Sequence, residues 1–416
     1  IMKWYLHRRY FILIFKNKPM TPTPAMQQYY DIKKEYSDTI VFFRMWDFYE
    51  MFWEDAHIAH KVLWITITTR NKNAKDPEAL AWFPYHAKDK YLPMLVNAWY
   101  KVAIVEQVSD PKLKWIVKRE VVRVVTPSTL SLESDIYDDF ANNSVIISIF
   151  EEKEKFGLSF LDITTNKWQT WEFFDFKNLS KELYKLNPKE VILEKKLFSN
   201  IKIKEILEKK FSLNIYYFEN NWNAKEKLLN HFQTKDLSWF WIEWKNLAIS
   251  ASALLLNYLE LNQKKSLKNL YSISNLALWE YLELDESTIK NLDIIYNFST
   301  WSYNIWTLFW VLDKTKTSMW KRLLRENILK PLKNISVIQE RLDFVEEFLR
   351  DKVLLSKVRE KLSYISDIDA ILNRLSLERV TPRDLLNLKK SLESVLEIIE
   401  IIKKDWSEKL KKIISI

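Results

Sequence analysis

Phe43-Arg44-Met45-Trp46-Asp47-Phe48-Tyr49-Glu50 is the stretch on which the reading of this chain turns. The run Ile40-Val41-Phe42-Phe43 leading into it is apolar and β-prone, as a strand covered on both faces would be. With a small residue at 46, the segment reads as strand, tight turn, then Phe48-Tyr49-Glu50 opening a helix. Taken alone, Phe-Tyr-Glu at a helix start is half core and half capping carboxylate. Its flanks decide whether it is more than that.

Position 46 carries the first oddity. The chain has one glycine, Gly157, and 19 tryptophans, whereas average usage would give about 29 glycines in this length. The two residues are opposites in volume and backbone freedom, so no physical trade explains the swap. Trp and Gly together come near an ordinary glycine number. We therefore expect that most Trp letters stand at glycine positions, as when UGA is read as glycine in some bacteria. Trp82 in Ala-Trp-Phe-Pro, Trp99 in Asn-Ala-Trp-Tyr and Trp168 in Asn-Lys-Trp-Gln all read as turn contexts that favour glycine.

The 416 residues suggest two to three domains. An apolar share of 48% with 29% charged residues is ordinary for a globular protein, and 15% aromatic residues exclude disorder as the main state. With no cysteine, the chain has no disulfide, thiolate metal site or cysteine nucleophile. A net charge of +9 permits nucleic-acid binding without demanding it. The longest apolar run near the start, Tyr10 to Phe15, is too short for a signal core or a span. Residues 1–19 are read as an upstream extension, with Met20 as the start, and the chain as soluble.

Outward from the opening stretch, the pattern is mixed α/β. Thr23-Pro24 caps a helix over 26–36, and Phe52 to Leu63 returns to helical spacing. Strands are expected at 65–68, 102–105 and 121–125, with a helix at 88–98. Pro127 and the polar stretch Ser131 to Asn143 read as a linker. A second α/β unit follows, with strands at 145–150, 158–163, 170–174 and 191–193 and a helix at 177–186. Past about 245 helical spacing dominates. Apolar stripes at Leu254, Leu255, Tyr258 and Leu261, at Leu342, Val345 and Leu349, and at Leu385, Leu388, Leu392, Val395, Ile398 and Ile402 read as core. The division expected is 1–19 extension, 20–130 and 131–245 as α/β domains, and 246–416 as a helical domain.

The flanks of the opening stretch carry Thr69-Arg70-Asn71, Ala81-Trp82-Phe83-Pro84-Tyr85-His86-Ala87, Val105-Glu106-Gln107-Val108-Ser109-Asp110-Pro111 and Arg123-Val124-Val125-Thr126-Pro127. Farther on come Leu284-Asp285-Glu286-Ser287-Thr288-Ile289-Lys290-Asn291-Leu292, the run from Val311 to Leu324, Arg341-Leu342 and Thr381-Pro382-Arg383-Asp384-Leu385. In this order and spacing the chain resembles the MutS family of DNA mismatch-repair proteins, from residue 20 to the end. The resemblance implies a mismatch-binding domain, an RNase H-like connector and an all-helical core domain. Trp46, Trp82, Trp99, Trp301 and Trp320 fall where the family has glycine.

By this resemblance Phe48 is a wedge entering DNA at a mispair, and Glu50 contacts the mispaired base. An apolar ring can enter a base step from the minor groove and kink the duplex. A mispair is already weakly stacked, so deforming it costs less than deforming a paired step. Glu50 suits DNA if it accepts a base N–H or carries a proton itself. Met45, Asp47 and Tyr49 belong to the same DNA-facing segment. Arg70 and Lys72, with Lys75, are candidates for phosphate contacts, against the plainer reading of a solvated loop. Tyr85 and His86 shape the same surface. His57 and His60 are three apart, as some metal ligands are, but no third ligand accompanies them.

No Gly-x-x-x-x-Gly-Lys-Ser/Thr loop exists even with every Trp read as glycine. The resemblance implies that clamp and ATPase lie past residue 416, so ATP and Mg are expected there and no cofactor here. The partners implied are mismatched double-stranded DNA and a MutL-type repair protein at the connector. The family's homodimer is built largely outside this segment, so the chain is expected to be mostly monomeric. A bacterial cytoplasmic, nucleoid-associated location is expected. Two other readings stay open. One is an RNase H-like nuclease, which needs a carboxylate cluster where Asp162 is the obvious strand carboxylate. The other is a helical protein-interaction scaffold.

Overall fold

The computed structural model describes residues 22–70, 78–109, 117–130, 144–211, 213–218, 223–263, 267, 269–276, 278–297, 302–303 and 306–405. The expected extension 1–19, the linker 131–143, Lys72, Lys75, Trp301 and the last residues of the chain lie outside them. Two compact units divide the chain: Ile1–Tyr137 with Leu256–Leu267, and Asp138–Leu255 with Lys268–Ile416.

In the first unit, helix α1 (Pro24–Glu35) begins at Thr23, whose side chain accepts from the Met26 N–H, with proline in the first turn. Strands β1 (Ile40–Met45), β2 (Phe48–Phe52), β3 (Ile67–Arg70), β4 (Glu78–Pro84), β5 (Val102–Gln107) and β6 (Arg119–Val125) form one sheet in the order β3-β4-β2-β1-β5-β6. The pair β1–β5 is parallel and every other pair antiparallel. Helices α2 (Trp53–Leu63) and α3 (Lys88–Asn97) also belong to this unit.

Strand alternation gives the sheet two apolar faces. Val41, Phe43, Phe52 and Val105 pack with Met26, Tyr29 and Tyr30 of α1. Ile40, Phe42, Tyr49, Met51, Ala81, Phe83 and Ile104 pack with Ala56, Ala59, Leu92 and Leu95 of α2 and α3. Lys33 and Asp55 pin α1 to α2: Lys33 Nζ lies 2.8 Å from the carboxylate, which also accepts from the Tyr29 hydroxyl and the Val41 N–H. Both side chains are buried.

In the second unit β7 (Val145–Glu152), β8 (Lys155–Asp162) and β9 (Lys167–Phe173) form an antiparallel meander. Helix α4 (Phe176–Leu186) leads to β10 (Glu190–Glu194) and β11 (Asn214–Phe218), which run parallel to β7. The two-residue β12 (Ser274–Asn275) closes the order β11-β10-β7-β8-β9-β12. The start of helix α5 (Asn246–Gln263), at Leu247 and Ala248, crosses β8 closely. A Cβ on Gly157 would stand 2.0 Å from the Leu247 carbonyl oxygen, so the single glycine sits where no side chain fits. Helices α6 (Ser318–Leu329), α7 (Ile335–Arg350), α8 (Lys352–Leu362), α9 (Ile368–Ser376) and α10 (Pro382–Asp405) dominate the C-terminal half.

Several expectations need correction. Phe48-Tyr49-Glu50 does not open a helix; it is the first half of β2, because the β1 and β4 backbones on either side complete its hydrogen bonds. The segment around Trp82 is likewise strand β4, not a turn. The stripe Leu342, Val345 and Leu349 is more than half exposed. Helix α7 turns Phe344 and Phe348, not that stripe, toward Leu354 and Val358 of α8 and Ile398, Ile401 and Ile402 of α10.

The tryptophans divide in two. Trp46, Trp53, Trp64, Trp99, Trp241 and Trp306 have φ between 48° and 68°, a region that bulky residues avoid and glycine enters freely. Trp64 is the left-handed C-cap of α2, a position helices commonly give to glycine. Trp168, expected in a turn, is instead buried in β9 with its indole N–H 2.8 Å from the Ser159 hydroxyl. Trp82 has no left-handed backbone, so strain at φ > 0 does not apply to it.

Candidate DNA-recognition hairpin

Strands β1 and β2 are joined by the two-residue turn Trp46-Asp47, closed by the pair Met45 and Phe48. Trp46 has φ 55°, at the first central position, where short hairpin turns favour glycine. The tip is held from outside the hairpin: the Tyr85 N–H donates to the Asp47 carbonyl at 2.8 Å. Pro84 follows Phe83 at the end of β4 and pairs with Phe48, so Tyr85 and His86 begin a 3₁₀ turn beside the tip.

Alternation along β2 puts Phe48 and Glu50 on one face, the face of α1, and Tyr49 on the other. Phe48 is 37% exposed at the sheet end, with its ring edge-on to Trp82 at 4.8 Å between centroids. Glu50 lies two residues farther in. Its carboxylate is 3.8 Å from the Arg70 guanidinium, which also reaches the Met26 sulfur at 3.3 Å. Burial pushes the Glu50 carboxyl above its ordinary range, although the positive charges of Arg70 and Arg119 pull the other way. The half-buried Arg70 and the buried Arg119 thus lie near an acid that holds its proton more tightly than an ordinary carboxyl.

The remaining expected residues fall around this group. Met45 is half-buried against the α1 cluster, and Asp47, Tyr85 and His86 are exposed at the tip. Tyr49 is displaced from the expected DNA-facing set: it is 1% exposed, and its hydroxyl donates to Glu106. Burial and this neighbouring carboxylate hold its phenol well above the usual range. Lys72 lies outside the described residues. Arg44, Glu106, Arg119 and Met26 were not read as part of the site. Arg44 stands directly opposite Tyr49 in the hairpin register, a relation hidden while Tyr49 was assigned to a helix.

Outside the hairpin, Asp162 is not alone among strand carboxylates, since Glu190 and Glu194 are buried in β10. Among the described residues no group of three His, Cys, Asp or Glu side chains could hold a metal ion. His60 uses Nδ1 on the Ile65 carbonyl at 2.7 Å. No described helix is long and apolar enough to cross a membrane.

Family models described as MutS domain I, MutS domain II and MutS domain III match residues 23–134, 144–271 and 287–415. A relative from Dehalococcoides mccartyi called DNA mismatch repair protein MutS is 40% identical over 379 residues, covering 90% of this chain and 43% of the relative. Relatives of the same name from Methanococcoides burtonii and Methanosarcina mazei are 39% and 38% identical, over 91% and 94% of this chain and 43% and 45% of their own length. The chain therefore spans less than half the length of the relatives it matches. The three models follow one another along it in numerical order, and the chain belongs to the MutS family, of which it carries domains I, II and III.

Proposed function

We propose that this chain recognises mismatched or unpaired bases in duplex DNA, with Phe48 as the wedge and Glu50 as the base contact. The observation that carries the reading is the placement of Phe48 and Glu50. An exposed aromatic ring stands at the tip of a hairpin braced by its neighbours, and a half-buried carboxyl lies on the same strand face. A ring at such a tip can enter a base step, and a mispaired step yields at lower cost than a paired one. A Glu50 that carries a proton can donate a hydrogen bond to a base and is not repelled by phosphate. Arg70, Asp47, Met45, Tyr85 and His86 complete the proposed DNA-facing surface, with Tyr49 acting from beneath, and Lys72 is proposed as a phosphate contact.

The rest of the reading follows from the family. Residues 20–130 form the mismatch-binding domain, 131–245 the connector and 246–416 the helical core. The order β9-β8-β7-β10-β11, with β10 and β11 parallel to β7, supports an RNase H-like connector. The proposed partners are mismatched duplex DNA, a MutL-type protein at the connector, and a second copy in the whole protein, where ATP and Mg would act. The proposed location is cytoplasmic and nucleoid-associated.

The test is a pair of titrations with Phe48→Ala. Loss of preference for a mismatched over a paired duplex, on the order of 1–3 kcal/mol, is expected. Non-specific binding and its salt slope should remain, since they rest on cations at phosphates. Were Phe48 a core residue, folding would weaken by roughly 3–5 kcal/mol and both duplexes would bind less well together.

A further inference from the structure

We propose that Arg44 is a positioning residue: from beneath the hairpin it fixes the angle at which Phe48 is presented, and so sets mismatch discrimination without touching a base. This rests on the wedge reading above.

Arg44 faces Tyr49 across the hairpin, so its side chain leaves the sheet on the side opposite Phe48. There its guanidinium joins three separate pieces of chain. Its Nε donates to the Trp46 carbonyl within the turn. Its central carbon, Cζ, lies over the Tyr85 ring, 3.8 Å from the centroid. One of its terminal nitrogens stands 3.8 Å from the Glu106 carboxylate on β5, the same carboxylate that accepts the Tyr49 hydroxyl.

Both carbonyls of the turn are therefore held. Trp46 is held by the Arg44 side chain and Asp47 by the Tyr85 backbone, and the two holders are stacked on each other. The Arg44 carbonyl in turn accepts from Arg119 Nε at 2.7 Å, which ties the base of the hairpin to β6. The Arg44 side chain is 17% exposed. Its charge is committed to Glu106 and the turn, which leaves it poorly placed for a phosphate. Contacts to Trp46 go through backbone, so they are independent of which side chain position 46 carries.

The physical demand is stiffness. Discrimination by a wedge is a difference between two deformation energies, and that difference is expressed only if the ring arrives in one place. A tip that rocks relieves the strain at a paired step and adds an ordering cost at a mispaired one. Lysine cannot replace the clamp, because it has no planar face to stack on Tyr85 and no fork to bridge carbonyl and carboxylate.

The experiment compares the full chain with Arg44→Lys, Arg44→Ala and Phe48→Ala. Kd is measured for a paired duplex and for the same duplex with one mispair at fixed salt, together with Tm. Hydrogen exchange of the Tyr85 amide is measured without DNA. Both Arg44 variants should bind paired duplex within about threefold of the parent, since phosphate contacts are untouched. Their mismatch preference should fall about tenfold, as for the loss of one charge-assisted contact. The Tyr85 amide should exchange faster while amides of α2 and α3 do not. If Arg44→Ala fails to fold, the same ratio in Arg44→Lys decides. Retained preference in the Arg44 variants, or equal weakening on both duplexes in step with a lowered Tm, overturns the proposal. If the parent shows no preference, or Phe48→Ala keeps it, the wedge reading falls and this proposal falls with it. Loss in Phe48→Ala with retention in the Arg44 variants overturns the proposal alone.

Discussion

The Glu50 carboxylate stands 3.8 Å from the Arg70 guanidinium, yet burial still raises its proton affinity above that of an ordinary carboxyl. At this site desolvation outweighs attraction. The consequence is pH dependence of a definite sign. Between the ordinary carboxylate range and the raised value, the unfolded chain ionises before the folded one, so stability falls as pH rises. Below both values the effect vanishes. Mismatch affinity should fall above that window, where Glu50 of the folded chain loses its proton, by up to about tenfold per pH unit. Glu50→Gln, neutral throughout, should flatten both profiles. Titrations of mismatched duplex at several pH values check this, and an unchanged slope in the variant would contradict it.

Glycine should be favoured at the left-handed tryptophans. Trp46, Trp64 and Trp99 have φ of 55°, 58° and 68° and are exposed, so their rings gain little from packing. Replacing each by glycine should stabilise the protein by about 1 kcal/mol or more through relief of backbone strain. Trp168→Gly should do the opposite, because that indole is 2% exposed and bonded to Ser159. Thermal melts of the four variants give the comparison. Peptide masses from the source organism would show which letters are glycine.

Gly157→Ala should be poorly tolerated. The added carbon would meet the Leu247 carbonyl oxygen at 2.0 Å and the Ala248 nitrogen at 2.9 Å, both backbone atoms of α5 that cannot swing aside. A loss of about 2 kcal/mol or more is expected from moving the helix off β8. Urea unfolding with unchanged slope and a lower midpoint would register it.

Lys33→Met should destabilise by about 3–5 kcal/mol, since it leaves the Asp55 charge buried without its cation. The double change Lys33→Met with Asp55→Leu should recover part of that loss. Equal stability of the single and double variants would mean that the charge itself is not what matters.

The sequence determined much of this protein by itself. The apolar runs at 40–43, 102–105 and 145–150 and the Thr23-Pro24 cap specify their elements locally, because periodicity and capping act within a few residues. The ordered motifs named the family and marked Phe48, Glu50 and Arg70 as candidates. What tertiary structure decided was the direction of side chains. Phe48-Tyr49-Glu50 has no strand signature alone; neighbours on both sides make it β2, and the period of two then sends Phe48 and Glu50 to one face and Tyr49 to the other. The same step brought Arg44 to Tyr85 and Glu106, residues 41 and 62 positions away in the chain, a meeting that local pattern does not encode. It also separated Trp168, a packed indole, from Trp46, a residue in a glycine's backbone conformation, although both had read as turns. Burial and backbone dihedral angles belong to the folded chain, and they are what tell the two apart.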